Sequence, residues 1–172
     1  MIFAILLLNA TTARAAEPSA WSLRGGVGFL KGNDVPFAVQ EVELAWRYPG
    51  WSGRFELGLL YGHAFRIGGV PGRDTPATSL LGLASQPSLQ LRSRFYLFDP
   101  GVSPFGIEPF VSLQAGVLPD FLPGWILPSF GLGLDWYLSE HLALSPALYM
   151  DFWANRAANP QFHPELAVKV RF

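Results

Sequence analysis

The three histidines of this chain, with the acids and hydroxyls near them, are the residues best suited to chemistry. Ser139-Glu140-His141 contains the nucleophile, acid and base of a hydrolase. Adjacent residues in a tight turn, however, cannot aim the base at the nucleophile while the acid holds the base from behind. A polar turn is the expected role. His163 and Glu165 are two residues apart and share a face of extended chain, which suits a hydrogen-bonded pair or two ligands of a metal. A protein metal centre ordinarily draws on three or more side chains, so no metal site is expected. His63 lies near the end of an apolar alternating segment, where an interfacial aromatic is the plain expectation. Gly25-Gly26-Val27-Gly28 lacks the strand-to-helix setting of a phosphate loop. Cysteine is absent, which excludes thiol nucleophiles, disulfides and thiolate metal sites. The sequence leans away from an enzyme and predicts neither a catalytic set nor a cofactor.

A larger set of ionisable residues stands out by its spacing. Seven are acidic (Glu41, Glu43, Glu56, Glu108, Asp135, Asp151 and Glu165) and seven basic (Arg24, Arg47, Arg54, Arg92, Arg94, Lys169 and Arg171). Each falls on the polar side of a segment of about ten residues whose hydrophobicity alternates with period two. In Trp21 to Phe29, Leu23, Val27 and Phe29 oppose Ser22, Arg24, Gly26 and Gly28. In Phe37 to Tyr48, Val42, Leu44 and Trp46 oppose Glu41, Glu43 and Arg47. Arg54 to Phe65 sets Phe55, Leu57, Leu59 and Tyr61 against Arg54, Glu56, Gly58 and Gly62. Ser88 to Phe98 sets Leu89, Leu91, Phe95 and Leu97 against Gln90, Arg92 and Arg94. Further segments place Val111 and Leu113 opposite Glu108 and Ser112, and Leu132 and Trp136 opposite Gly131 and Asp135. Leu142 to Trp153 sets Leu144 and Leu148 against Ser145, Tyr149 and Asp151, and the final segment sets Leu166, Val168 and Val170 against Glu165, Lys169 and Arg171. None of the fourteen charges lies on an apolar face. A lipid-facing charge at mid-bilayer costs roughly 2–4 kcal/mol, so a membrane solvent would impose this segregation.

These segments predict an all-β fold, an eight-stranded antiparallel transmembrane β-barrel. Half the residues are hydrophobic and only 15% are charged, well below the usage of about 25% in soluble domains. No run beyond the N-terminus approaches the roughly 20 apolar residues of a membrane helix. Short connections at Pro49 to Gly53, Asp99 to Pro104 and Ser139 to His141 alternate with connections that are mostly longer, Leu30 to Pro36, Arg66 to Pro87, Leu118 to Leu127 and Ala154 to Pro164. That alternation fits periplasmic turns and extracellular loops. Aromatics gather at segment ends, with Trp21, Trp46, Tyr48, Trp136 and Tyr137 at the inner rim and Phe29, Phe65, Phe152 and Trp153 at the outer, as interfacial girdles do. A soluble carrier barrel would invert the faces and expose rows of Leu, Val and Phe to water, inviting aggregation.

Residues 1–15 read as an export signal, an apolar run ending at Ala13-Arg14-Ala15-Ala16, with a barrel domain over 16–172. The usual basic start is missing, so the native start lies upstream of Met1 or the signal is atypical. Net charge is −1 with no charged block, which gives nucleic acid nothing to bind. The expected surroundings are outer-membrane lipid and lipopolysaccharide, and the expected state is a monomer. Barrels this narrow are filled by their own side chains. The inward charges are therefore expected to pair into a plug, for example with Glu56 and Glu108 flanking Arg94.

The closing Glu165-Leu-Ala-Val-Lys-Val-Arg-Phe172 resembles the C-terminal strand of bacterial outer-membrane barrels. The resemblance implies recognition by the barrel-assembly machinery and a small barrel similar to the OmpA-type transmembrane domain, without implying an activity. The lipid A deacylases of the PagL type are similar in size and carry a His-x-Ser-Asn stretch late in the chain. Asn155 and Asn159 lie in the corresponding region, but Tyr149-Met-Asp-Phe-Trp-Ala-Asn155 contains neither nucleophile nor base. A non-enzymatic scaffold for envelope integrity or surface interaction is the leading expectation. Lipid hydrolysis, an inactive relative of such an enzyme, and a narrow channel are its rivals.

Overall fold

The computed structural model describes residues 21–31, 36–66, 87–100, 102, 104–117, 128–152 and 161–172. Eight strands follow one another: β1 (Trp21–Lys31), β2 (Pro36–Tyr48), β3 (Phe55–Arg66), β4 (Pro87–Tyr96), β5 (Ile107–Val117), β6 (Ser129–Tyr137), β7 (Leu142–Asp151) and β8 (Gln161–Arg171). Each pairs antiparallel with its predecessor, and β8 returns to β1 to close a barrel. Closure pairs the backbone polar groups of both would-be edge strands, the condition for a sheet to survive in hydrocarbon.

Alternation decides the two faces. Arg24 on β1, Glu43 on β2, Glu56 on β3 and Arg94 on β4 are all buried, while the next residues along each strand face out. The outward wall is Leu, Val, Phe, Trp and Tyr, with Leu59 50% exposed and Leu91 57% exposed. A wall so apolar and so open calls for lipid as its solvent.

Bulky inward side chains need gaps on the opposite wall, and glycines supply them. A Cβ at Gly131 would run into the Tyr149 ring, one at Gly58 into the Glu43 carboxylate, and one at Gly133 would lie 2.5 Å from Phe110. The β6–β7 ladder is paired through Gly133 and Ala147, then resumes at Trp136 and Leu144. The gap falls at Pro146, which has no N–H to offer.

Two short connections adopt left-handed backbone. Trp51 (φ 53°), Ser52 (φ 54°) and Gly53 (φ 68°) join β2 to β3, and Phe105 (φ 64°) precedes Gly106 (φ 66°) before β5. For residues with a Cβ that conformation costs roughly 1–2 kcal/mol each. The third, between β6 and β7, is closed by Ser139, whose Oγ accepts from the N–H groups of His141 (3.3 Å) and Leu142 (3.1 Å). This is the turn role anticipated for Ser139-Glu140-His141, all three being exposed.

Some boundaries differ from the sequence reading. Alternation runs on to Phe98, but β4 stops at Tyr96; β7 stops at Asp151 rather than Trp153. Most of the long connections lie outside the described residues, as do Trp153 and the side chain of Phe65 on β3, two of the outer-girdle aromatics.

Candidate functional site: the charged lumen

The interior is organised from the short-turn end upward. Nearest that end, Glu108 on β5 accepts from Arg47 of β2 at 2.9 Å and from Arg171 of β8 at 3.0 Å. Each arginine also has its guanidinium carbon over a tyrosine ring, Arg47 over Tyr96 and Arg171 over Tyr137, both 3.9 Å from the ring centroid. Such cation–π contact engages the face of the guanidinium, while an N–H group in its plane bonds Glu108.

One level up, Lys169 reaches across the lumen. Its Nζ donates to Glu56 Oε2 at 2.6 Å, to Tyr96 Oη at 2.7 Å and to Asp135 Oδ2 at 2.9 Å. The Tyr96 hydroxyl in turn donates to Asp135 at 2.8 Å, and Ser145 Oγ donates to Asp135 Oδ1 at 2.6 Å. Arg94 binds Glu56 at 2.6 Å and also Glu43. These residues are at most 1% exposed.

Above them Glu43 is shared among Arg94, Arg92 (3.2 Å) and Arg24 (3.7 Å). Arg92 also bonds Glu41 at 2.7 Å and Gln114 at 2.7 Å. Glu165 forms ion pairs with Arg24 at 2.6 Å and Arg92 at 3.5 Å, without a hydrogen bond to either carboxylate oxygen among the described residues. At the far end His163 Nδ1 sits 3.5 Å from Asp151 Oδ2, and its ring tilts against Tyr149 with centroids 5.9 Å apart. Among the described residues no three His, Asp or Glu side chains gather as a metal site.

Bonds from β8 to β3 and from β2 to β5 cross the space that a channel would need. Taken with the apolar outer wall, this decides the architecture.

The fold is that of a transmembrane β-barrel. No family model matches the chain, and no curated protein matches it. Among solved structures it is similar to Neisserial surface protein A, with 10% identity, a TM-score of 0.61, and 90% of this chain and 98% of that one covered. It is also similar to a de novo designed transmembrane β-barrel, with 16% identity, a TM-score of 0.58, and coverage of 92% and 99%. A third is the N-terminal β-barrel domain of Pseudomonas aeruginosa OprF, with 15% identity, a TM-score of 0.54, and coverage of 88% and 97%. At these identities the likeness is one of fold.

Three expectations need correction. Arg54 does not join the lumen: it precedes β3 in a helical backbone conformation, is 38% exposed, and donates to Asp99 at 2.5 Å between two turns. Alternation stops applying where the chain leaves the strand. Glu108 does not flank Arg94, because the β4–β5 register sets Arg94 opposite Ser112 and leaves Glu108 nearer the rim with Arg47 and Arg171. Tyr137 is not a girdle aromatic; it points inward at 6% exposure beneath Arg171. Tyr96 and Phe110, both buried, were not singled out by the sequence reading. Their parity with Arg94 and Glu108 was the available signal. Asn155 and Asn159 lie outside the described residues.

Proposed function

We propose that this chain is a barrel of the bacterial outer membrane that acts as a rigid, closed, non-enzymatic anchor. Its connections opposite the short turns face the cell exterior and serve envelope integrity or surface interaction. The observation that carries this reading is the set of bonds spanning the lumen, above all Lys169 to Glu56 and Asp135 and Arg47 to Glu108. Among the described residues each buried charge has an oppositely charged neighbour, and removing one such as Lys169 would leave Asp135 without its ion pair, so the plug resists opening. A hydrolase would need a nucleophile with an adjacent base. Ser145, one of the buried luminal serines, instead donates to Asp135 and accepts from Arg24 Nε at 3.2 Å.

The test has two arms. In planar bilayers the purified barrel is expected to give no discrete conductance steps, and stable steps would overturn the closed plug. Mass spectrometry of lipid A from cells with and without the protein is expected to show unchanged acylation, and reproducible acyl loss would overturn the non-enzymatic reading.

A further inference from the structure

The short-turn end of the barrel is not the same all round. On one side, the connections β2–β3 and β4–β5 expose Trp51 (68%), Val102 (70%) and Phe105 (62%), residues that a turn in water has no reason to display. On the other side, the β6–β7 connection displays Ser139, Glu140 and His141 at its tip, with Leu138 and Leu142 less exposed at its base (37% each) and Phe172 exposed at the end of β8. The two apolar turns are neighbours, held together by the Arg54–Asp99 pair and by the Tyr96 N–H, which donates to the Arg54 carbonyl at 2.7 Å. The two turns therefore lie side by side, each with its apolar side chains exposed.

The β2–β3 turn is an extension of the lipid-facing wall. Trp46 and Tyr48 on β2, Trp51 in the turn and Phe55 on β3 make an unbroken edge-to-face series with centroid separations of 5.6, 6.0 and 5.8 Å. The left-handed backbone at Trp51 and Ser52 brings the indole into this series, and Phe105 in the next turn has the same backbone sense. Tryptophan and phenylalanine with half-exposed polar neighbours match the headgroup layer, where one side of a ring is wet and the other apolar. The Arg54–Asp99 pair has no formal net charge and so adds no repulsion from lipid of either sign.

We infer that the barrel sits asymmetrically in its membrane, with the β2–β3 and β4–β5 turns sunk into the phospholipid headgroup layer and the β6–β7 turn standing in water. The inference rests on the barrel spanning a bilayer, but not on the lumen being closed. The ligand of these two turns is phospholipid, held by Trp51, Val102 and Phe105.

The test uses the full barrel refolded into phosphatidylcholine vesicles. In a background with the other five tryptophans replaced by phenylalanine, fluorescence is read from Trp51, and in parallel from variants carrying W51F with F105W or W51F with H141W. Trp51 and the residue-105 indole should be strongly quenched by headgroup-proximal brominated phospholipid, and several-fold less by acrylamide than the residue-141 indole. Because multiple tryptophan changes can impair folding, a second arm keeps all of them. The chain has no cysteine, so V102C and H141C each carry a single nitroxide; oxygen should dominate relaxation at 102 and a water-soluble nickel reagent at 141. Equal acrylamide or nickel accessibility on the two sides would overturn the inference. So would protection of Trp51 that grows with the protein-to-lipid ratio, since the occupant would then be a second copy.

Discussion

Replacing Lys169 by methionine tests the luminal lattice at a residue that ties β8 to β3, β4 and β6. The ammonium is the only cation within salt-bridge distance of Asp135 among the described residues; Glu56 keeps Arg94 at 2.6 Å. Without Lys169, Asp135 retains the Ser145 and Tyr96 hydroxyls but no ion-pair partner among the described residues, at 1% exposure. Stranding one member of a buried pair costs about 3–5 kcal/mol. That corresponds to roughly two to three and a half decades in the unfolding equilibrium constant. The assay is reversible urea unfolding of the barrel in lipid vesicles, followed by tryptophan fluorescence. The double variant K169M/D135N removes both charges and should recover about half or more of the lost stability, because the penalty belongs to the uncompensated carboxylate. A single variant within about 0.5 kcal/mol of the parent would match an ordinary surface change. That result, or a double variant no better than the single, would refute the reasoning.

Other expected outcomes follow from the same contacts. G131A should destabilise the barrel by about 1–3 kcal/mol through overpacking against Tyr149, with Y149L in the same chain restoring most of the loss on urea unfolding. S52G should stabilise by roughly 1 kcal/mol, because glycine occupies left-handed backbone without strain; an unchanged urea midpoint would contradict this. Disrupting the partly exposed Arg54–Asp99 pair with R54A should cost under about 1 kcal/mol in the same titration. L59R should cost roughly 2–4 kcal/mol in vesicles, as a charge on the lipid-facing wall, and a cost near zero would place Leu59 away from hydrocarbon.

The parity of the strands was legible because the solvent outside the barrel is so unlike the space inside. Leu57 and Leu59 cannot exchange faces with Glu56 and Gly58 without putting charge into lipid, so the alternation of β3 could be read residue by residue. Partners within the lumen were less legible. Which charge meets which depends on strand stagger and side-chain length: Arg47 is in register with Glu56, yet its guanidinium bonds Glu108 across the barrel. The aromatic part of the interior was missed for a related reason. Tyr96, Phe110 and Tyr137 look like membrane residues by type, and their inward place follows from strand parity and from the partners they meet there, Arg47 over Tyr96, Arg94 over Phe110 and Arg171 over Tyr137, with the Tyr96 hydroxyl also bonded to Lys169 and Asp135. Alternation extended one residue past the strand points Arg54 inward, but the chain has already left the strand there.

The most direct test of the account is which way the apolar face looks. Single nitroxides placed by cysteine substitution at Leu44, Leu59, Leu91, Leu132 and Leu148 sample five strands of the outer wall in an otherwise cysteine-free chain. A nitroxide at Ala147, on the inward parity of β7, provides the comparison. In lipid vesicles the five outer labels should collide far more with oxygen than with the water-soluble nickel reagent, while the label at 147 should be shielded from oxygen relative to them. Greater nickel than oxygen accessibility at the five leucine positions would put the apolar wall in water and contradict a transmembrane barrel.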